Sequence, residues 1–117
     1  MNFNPEWLNR NRKRGNPEAH LVLQIIKYAK AIGCYAGKIK VKGSFSKQGN
    51  FIFDRYLIRG LPDVLIFKNS IMYLVECKVG KNILTEEQEI FKQFFHKPPD
   101  RIFIEARNLE DVTKEIA

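Results

Sequence analysis

Residues 60–78 read GLPDVLIFKNSIMYLVECK, and the fold turns on them. Residues 64–67 and 71–75 are apolar runs separated by Lys68-Asn69-Ser70, the pattern of a tight β-hairpin. A loop of two or four residues centred on Asn69 and Ser70 places Leu65 opposite Leu74, Val64 opposite Val75 and Asp63 opposite Glu76. Directly opposed residues of an antiparallel pair project from one face with Cβ atoms about 5 Å apart. Two carboxylates so placed repel, and packing alone does not recommend the arrangement. A divalent cation turns that repulsion into attraction, because hard oxygen ligands a few ångströms apart are what Mg²⁺ prefers. Lys78 lies two residues beyond Glu76 and shares its face, while Cys77 points to the other. An acid pair able to hold a metal, with an ammonium beside it, is the equipment for cleaving a phosphodiester. An odd loop breaks the deduction, since a one-residue slip sends one carboxylate to the opposite face.

The flanking sequence supplies the rest of a mixed α/β domain. Asn16-Pro17 is an N-cap followed by proline at the first helical position. Val22, Ile25, Ile26, Ala29 and Ile32 keep helical spacing up to a stop at Gly33. Residues 38–42 (KIKVK) alternate, predicting a half-buried strand with its lysines outward. Residues 43–50 are small and polar and read as a loop, and Phe51-Ile52-Phe53 reads as a short strand or as a loop packed by its own side chains. Gly60-Leu61-Pro62 marks a turn, and Gly80-Lys81-Asn82 closes the second hairpin strand. Thr85-Glu86-Glu87-Gln88 has the capping-box pattern and opens a helix with Ile90, Phe91, Phe94 and Phe95 on its apolar face. Pro98-Pro99 stops it, residues 101–106 form a further strand, and residues 109–116 a closing helix. The order α-β-β-β-α-β-α predicts a mixed β-sheet flanked by helices.

The chain has 117 residues, 44% of them hydrophobic and 28% charged, which suits one globular domain and excludes a collagenous or disordered chain. No apolar run approaches the roughly 20 residues of a membrane span. The polar first 14 residues carry no secretory h-region, so a cytoplasmic location is expected. Cys34 and Cys77 form no zinc or disulfide framework, and His20 and His96 have no partners at metal spacing and read as incidental. Charge is uneven. Residues 1–60 hold 12 Lys and Arg against 3 acids, whereas residues 61–117 hold 8 against 10. A half carrying +9 suits a polyanion, of which nucleic acid is the commonest in the cytosol. Residues 1–15 read as a basic arm and residues 16–117 as a single domain.

Gly60-Leu61-Pro62-Asp63, twelve further residues and then Glu76-Cys77-Lys78 resemble the signature of the PD-(D/E)XK nuclease superfamily. The glycine before Pro-Asp, the hairpin and the sequel at residues 79–88 (VGKNILTEEQ) are most similar to the VRR-NUC branch. Arg12-Lys13-Arg14-Gly15, with Glu18 opening a helix, resembles the front end of archaeal and viral Holliday-junction resolvases of the same superfamily. The likeness runs from about Gly15 to Gln88. It implies a restriction-endonuclease-like core and a Mg²⁺-dependent endodeoxyribonuclease, with Mn²⁺ as substitute. It assigns metal ligation to Asp63 and Glu76, with the Cys77 backbone carbonyl a further ligand and Glu18 completing the acidic site. Lys78 positions the attacking water or stabilises charge in the transition state, and Gln88 lines the site. Cys77 stands at the variable position of the motif, where its side chain points away. The implied task is structure-selective cleavage of branched DNA such as Holliday junctions or flaps, in DNA repair or recombination, within a prokaryotic cell or a virus-infected host. The alternative is a nucleic-acid-binding module that keeps the fold without cutting.

Simpler roles exist for several of these residues. Glu18 suits the first turn of any helix, where a carboxylate complements the helix dipole, although it lies on the buried stripe four residues before Val22. Gln88 is the third residue after Thr85, so capping alone accounts for it. Asp63 can cap a turn after Pro62, and Glu76 with Lys78 can be a surface ion pair. Tyr73 shares a face with Val75 and Cys77 and reads as core. Arg12, Lys13 and Arg14, the outward Lys38, Lys40, Lys42 and Lys47, and Lys81 are the expected contacts to the phosphate backbone, with loop 43–50 lying over the DNA beside the site. Resolving a four-way junction takes two coordinated cuts, so a homodimer is expected, with the aromatic face of the 86–95 helix as one surface for it.

Overall fold

A helix that ends cleanly sets up the first strand. In the computed structural model, which describes residues 16–39, 44–45, 51–52, 56 and 58–116, helix α1 spans Pro17–Ala31. Asn16 Oδ1 accepts from the Glu18 N–H at 2.9 Å, so the predicted cap is present. At the other end the Gly33 N–H donates to Lys30 O (3.0 Å) and the Cys34 N–H to Ala29 O (2.9 Å), a Schellman motif with Gly33 at φ +91°. The chain leaves that turn already extended. Strand β1 therefore spans Tyr35–Lys38, earlier than the alternation at residues 38–42 suggested, and Ile32, expected on the buried stripe, is exposed at the helix cap. The remainder of the expected strand, Lys40 and Lys42 included, lies outside the described residues.

Two short strands, β2 (Ser44–Phe45) and β3 (Phe51–Ile52), pair antiparallel as a separate ribbon. Ser44–Phe45, within the segment read as a loop, thus pairs with Phe51–Ile52, which takes the strand alternative of its reading. The remaining elements follow the expected order: β4 (Val64–Lys68), β5 (Ile71–Cys77), helix α2 (Glu86–Phe95), β6 (Arg101–Ala106) and helix α3 (Leu109–Ile116). The main sheet runs β1-β4-β5-β6, antiparallel except for the parallel β5–β6 pair that α2 connects. Mixed α/β is therefore the observed class.

Strand β5 is covered on both faces. Val64, Ile66, Tyr73, Val75, Cys77, Ile104 and Ala106 meet Leu21, Val22, Ile25, Ile26 and Ala29 of α1 and Val112 and Ile116 of α3. Leu74 and Phe103, with Leu65 and Met72, meet Phe91 and Phe95 of α2 and Leu84 on the other face. Fully burying each such aliphatic chain contributes about 1.5–3 kcal/mol before entropy is set against it. Only part of the α2 aromatic face is core, because Ile90 and Phe94 are exposed, Phe94 at 78%.

Strand β6 forms an edge of this sheet, and its outward N–H groups take local acceptors. The Arg101 N–H donates to Lys97 O (3.2 Å), that of Phe103 to His96 Nδ1 (3.0 Å) and that of Arg107 to Asp111 Oδ2 (2.8 Å). His96, read as incidental, is thus an edge cap that blunts strand addition.

Candidate metal centre

The hairpin closes as the sequence required. Lys68 pairs with Ile71 across a two-residue turn in which Asn69 takes φ +56°, and Leu65 and Val64 pair with Leu74 and Val75. Pro62 has no N–H to give to a ladder, so β4 proper begins after Asp63. Asp63 is nevertheless hydrogen-bonded on both sides: its N–H donates to Val75 O at 3.0 Å, one residue off the β4–β5 register, and its carbonyl accepts from the Ile39 N–H at 3.2 Å, in step with β1. The carboxylate is fixed as well, with Oδ2 accepting from the Cys77 N–H at 2.9 Å. Asp63 and Glu76 therefore emerge side by side at one end of the β4–β5 pair. Both are buried, at 8% and 3% exposure.

Glu18 joins them from the first turn of α1. One carboxylate oxygen from each of Glu18, Asp63 and Glu76 lies within 4.8 Å of the others. The Lys78 side chain, also buried, brings Nζ to 3.8 Å from Glu76 Oε1. Cys77 points into the α1-side core and is fully buried, so its side chain does not intrude on the acids. A cavity of about 170 Å³ lined by Asn16, Glu18, Ala19, Val22, Lys38 and Asp63 opens onto the cluster.

Gln88 serves two roles that the sequence offered as alternatives. Its Oε1 accepts from the Thr85 N–H at 2.8 Å while Thr85 Oγ1 accepts from the Gln88 N–H at 3.2 Å, so the capping box is complete. Its Nε2 donates to Glu76 Oε1 at 2.8 Å. The close approach of α2 depends on Gly60, at φ +79°. A Cβ there would sit 2.5 Å from the carbonyl carbon and oxygen of Glu87 and 2.7 Å from Gln88 N.

Carboxylate oxygens crowded this closely, two of them from buried residues, repel one another unless a cation lies among them. Oxygens sharing an octahedral Mg²⁺ or Mn²⁺ at about 2.0–2.1 Å stand about 3–4 Å apart, so a cluster within 4.8 Å needs only a small closure. The donor set is all hard oxygen. These residues fit a magnesium-like ion better than a soft metal.

Sequence reasoning missed one contributor and placed another less specifically. Arg107 donates to Gly80 O (3.1 Å) and Asn82 O (2.7 Å), tying down the segment that follows Lys78. No local pattern marks an arginine that acts across a crossover. Lys38, read as one of several outward lysines, lies on the cavity wall beside Glu18 and Asp63. Lys81 is exposed, and Arg12, Lys13, Arg14, Lys40, Lys42 and Lys47 lie outside the described residues. No helix among the described residues is long and apolar enough to cross a membrane. No family model, no curated protein and no solved structure matches this chain.

Proposed function

We propose that this chain is a divalent-metal-dependent DNA endonuclease with a restriction-endonuclease-like core of the PD-(D/E)XK type. One observation carries the reading: Glu18, Asp63 and Glu76 converge within 4.8 Å with the Lys78 ammonium at their edge. In it, Asp63 and Glu76 hold the ion, with Glu18 and the Cys77 carbonyl completing its shell. When bound, Mg²⁺ or Mn²⁺ supplies Lewis acidity at a phosphate oxygen. Lys78 holds a positive charge where charge develops on the phosphate and orients the attacking water, and Glu76 keeps that ammonium in place. Lys38 and Lys81 present positive charge to the backbone on either side, a sequence-independent contact that weakens with salt.

The substrate is branched DNA, Holliday junctions or flaps, and the acting form is a homodimer inside a prokaryotic cell or an infected host. The exposed Ile90 and Phe94 on α2 suit the dimer contact. A panel of branched, flapped and linear DNA with Mg²⁺ tests the reading. Branched substrates are cut, EDTA abolishes cutting, and Lys78→Ala slows it by about 10²–10³-fold. A wild type that binds the panel but cuts nothing, or a Lys78→Ala protein as fast as wild type, leaves a binding module in place of an enzyme.

A further inference from the structure

We propose that Gln88 is a positioning residue of the metal centre: the side chain that closes the N-terminal cap of α2 also holds Glu76 in its ligating orientation. The proposal rests on the reading of the carboxylate cluster as a metal site. Two hydrogen bonds to one side-chain amide carry it. An amide has one acceptor end and one donor end, and the assignment here uses each once. Because Oε1 takes the Thr85 N–H, the NH₂ end is left facing Glu76, and it donates to Glu76 Oε1 at 2.8 Å. A glutamine turned the other way would set its oxygen against a carboxylate oxygen and leave the Thr85 N–H facing an NH₂ group. The cap therefore selects the polarity that the site needs.

Neighbouring geometry keeps the arrangement rigid. Gly60 lets the 58–62 segment lie directly against the Glu87–Gln88 backbone, so the first turn of α2 has no room to slide along the sheet. Glu76 has one oxygen engaged by Gln88 with the Lys78 ammonium 3.8 Å away, which restricts rotation of the carboxylate about its last torsion. Outer partners that orient a metal ligand in this way are worth about 10–100-fold in metal affinity. Coupling of this kind is reciprocal, so an ion held by Glu76 also stiffens the start of α2.

Mn²⁺ binding to the full chain, measured by calorimetric titration, separates this role from plain capping. Gln88→Ala removes both functions and is expected to raise the Mn²⁺ Kd by about 10–100-fold. Thr85→Ala removes only the hydroxyl that accepts from the Gln88 backbone N–H. It lowers the metal-free melting temperature as a lost cap does, yet leaves the Kd within about threefold of wild type. A measurement on the unaltered chain covers the case in which Gln88→Ala does not fold. On titration with Mg²⁺, the Gln88 side-chain amide resonances shift in the ¹⁵N spectrum while those of the exposed Gln24 and Gln93 stay in place. A Gln88→Ala Kd equal to wild type, or an unmoved Gln88 amide at saturating Mg²⁺, overturns the proposal alone. A wild type that takes up no Mn²⁺ overturns it together with the metal-centre reading.

Discussion

Gly60→Ala tests how the site is assembled without touching any of its polar groups. Two penalties are separable in the structure. The first is conformational: φ is +79°, a left-handed backbone that costs an L-residue about 1–2 kcal/mol. The second is steric, because the new methyl would lie 2.5 Å from Glu87 C and O and 2.7 Å from Gln88 N. Those are backbone atoms in a capped helical turn, so no side chain can rotate away, and overpacking of this kind costs about 1–3 kcal/mol. Together they predict a loss of about 2–5 kcal/mol, on the order of 10–20 °C in melting temperature for a domain of this size. Gly80→Ala is the matched control. It has φ +61° and nothing within 4 Å of where its new methyl would sit, so it carries the conformational penalty alone and is expected to lose about 1–2 kcal/mol. Thermal melts in EDTA read both values. Mn²⁺ titration then asks where the strain goes: displacing Glu87 and Gln88 should weaken metal binding in Gly60→Ala and leave it intact in Gly80→Ala. Equal melting temperatures for the two variants would refute the close approach as the reason for glycine at position 60.

Two further outcomes follow from the same geometry. Mg²⁺ at about 100 times its Kd should raise the stability of the wild type by about 2.7 kcal/mol, seen as a higher melting temperature, and Asp63→Asn should lose most of that increment. Burial holds the Tyr73 phenol above its ordinary 10.0, with Cys34 and Glu115 adding to the shift, so its neutral form belongs to the folded state. The stability so gained is complete below about pH 10 and drains away as pH rises toward the folded value, and melting temperatures of wild type and Tyr73→Phe should therefore diverge only above pH 10.

The hairpin half of the site was legible because its geometry is local. Strand pairing has a period of two, so an even turn at Asn69-Ser70 settles which face every residue from Val64 to Cys77 occupies. Helix boundaries followed from equally local chemistry, in Asn16, Gly33 and Thr85. Where two local signals adjoin, the reading placed the start of the element late. The Schellman turn at Gly33 starts the strand at Tyr35, three residues before the alternation that marked it. The apolar face of α2 carries four residues, of which the helix buries only a narrow part against the sheet. Ile90 and Phe94 face outward, and Phe95 alone of the four is buried.

Glu18 and Gln88 mark the limit more sharply, since each had a sufficient local explanation that proved true without being complete. Glu18 does lie in the first turn of a helix, and Gln88 does close a capping box. What a local reading cannot contain is that α1 and α2 cover opposite faces of one sheet. A side chain from α1 can meet one from the α2 side only by passing around the end of a strand. Pro62 marks that end: it has no N–H to offer, the regular ladder begins at Val64, and Asp63 between them stays hydrogen-bonded to β5 and to Ile39. The acids meet because Asp63 is the last hydrogen-bonded position at that end of β4 and is reachable from both layers. The same proline that reads locally as a turn signal therefore sets the depth at which a helix from each face can reach the carboxylates.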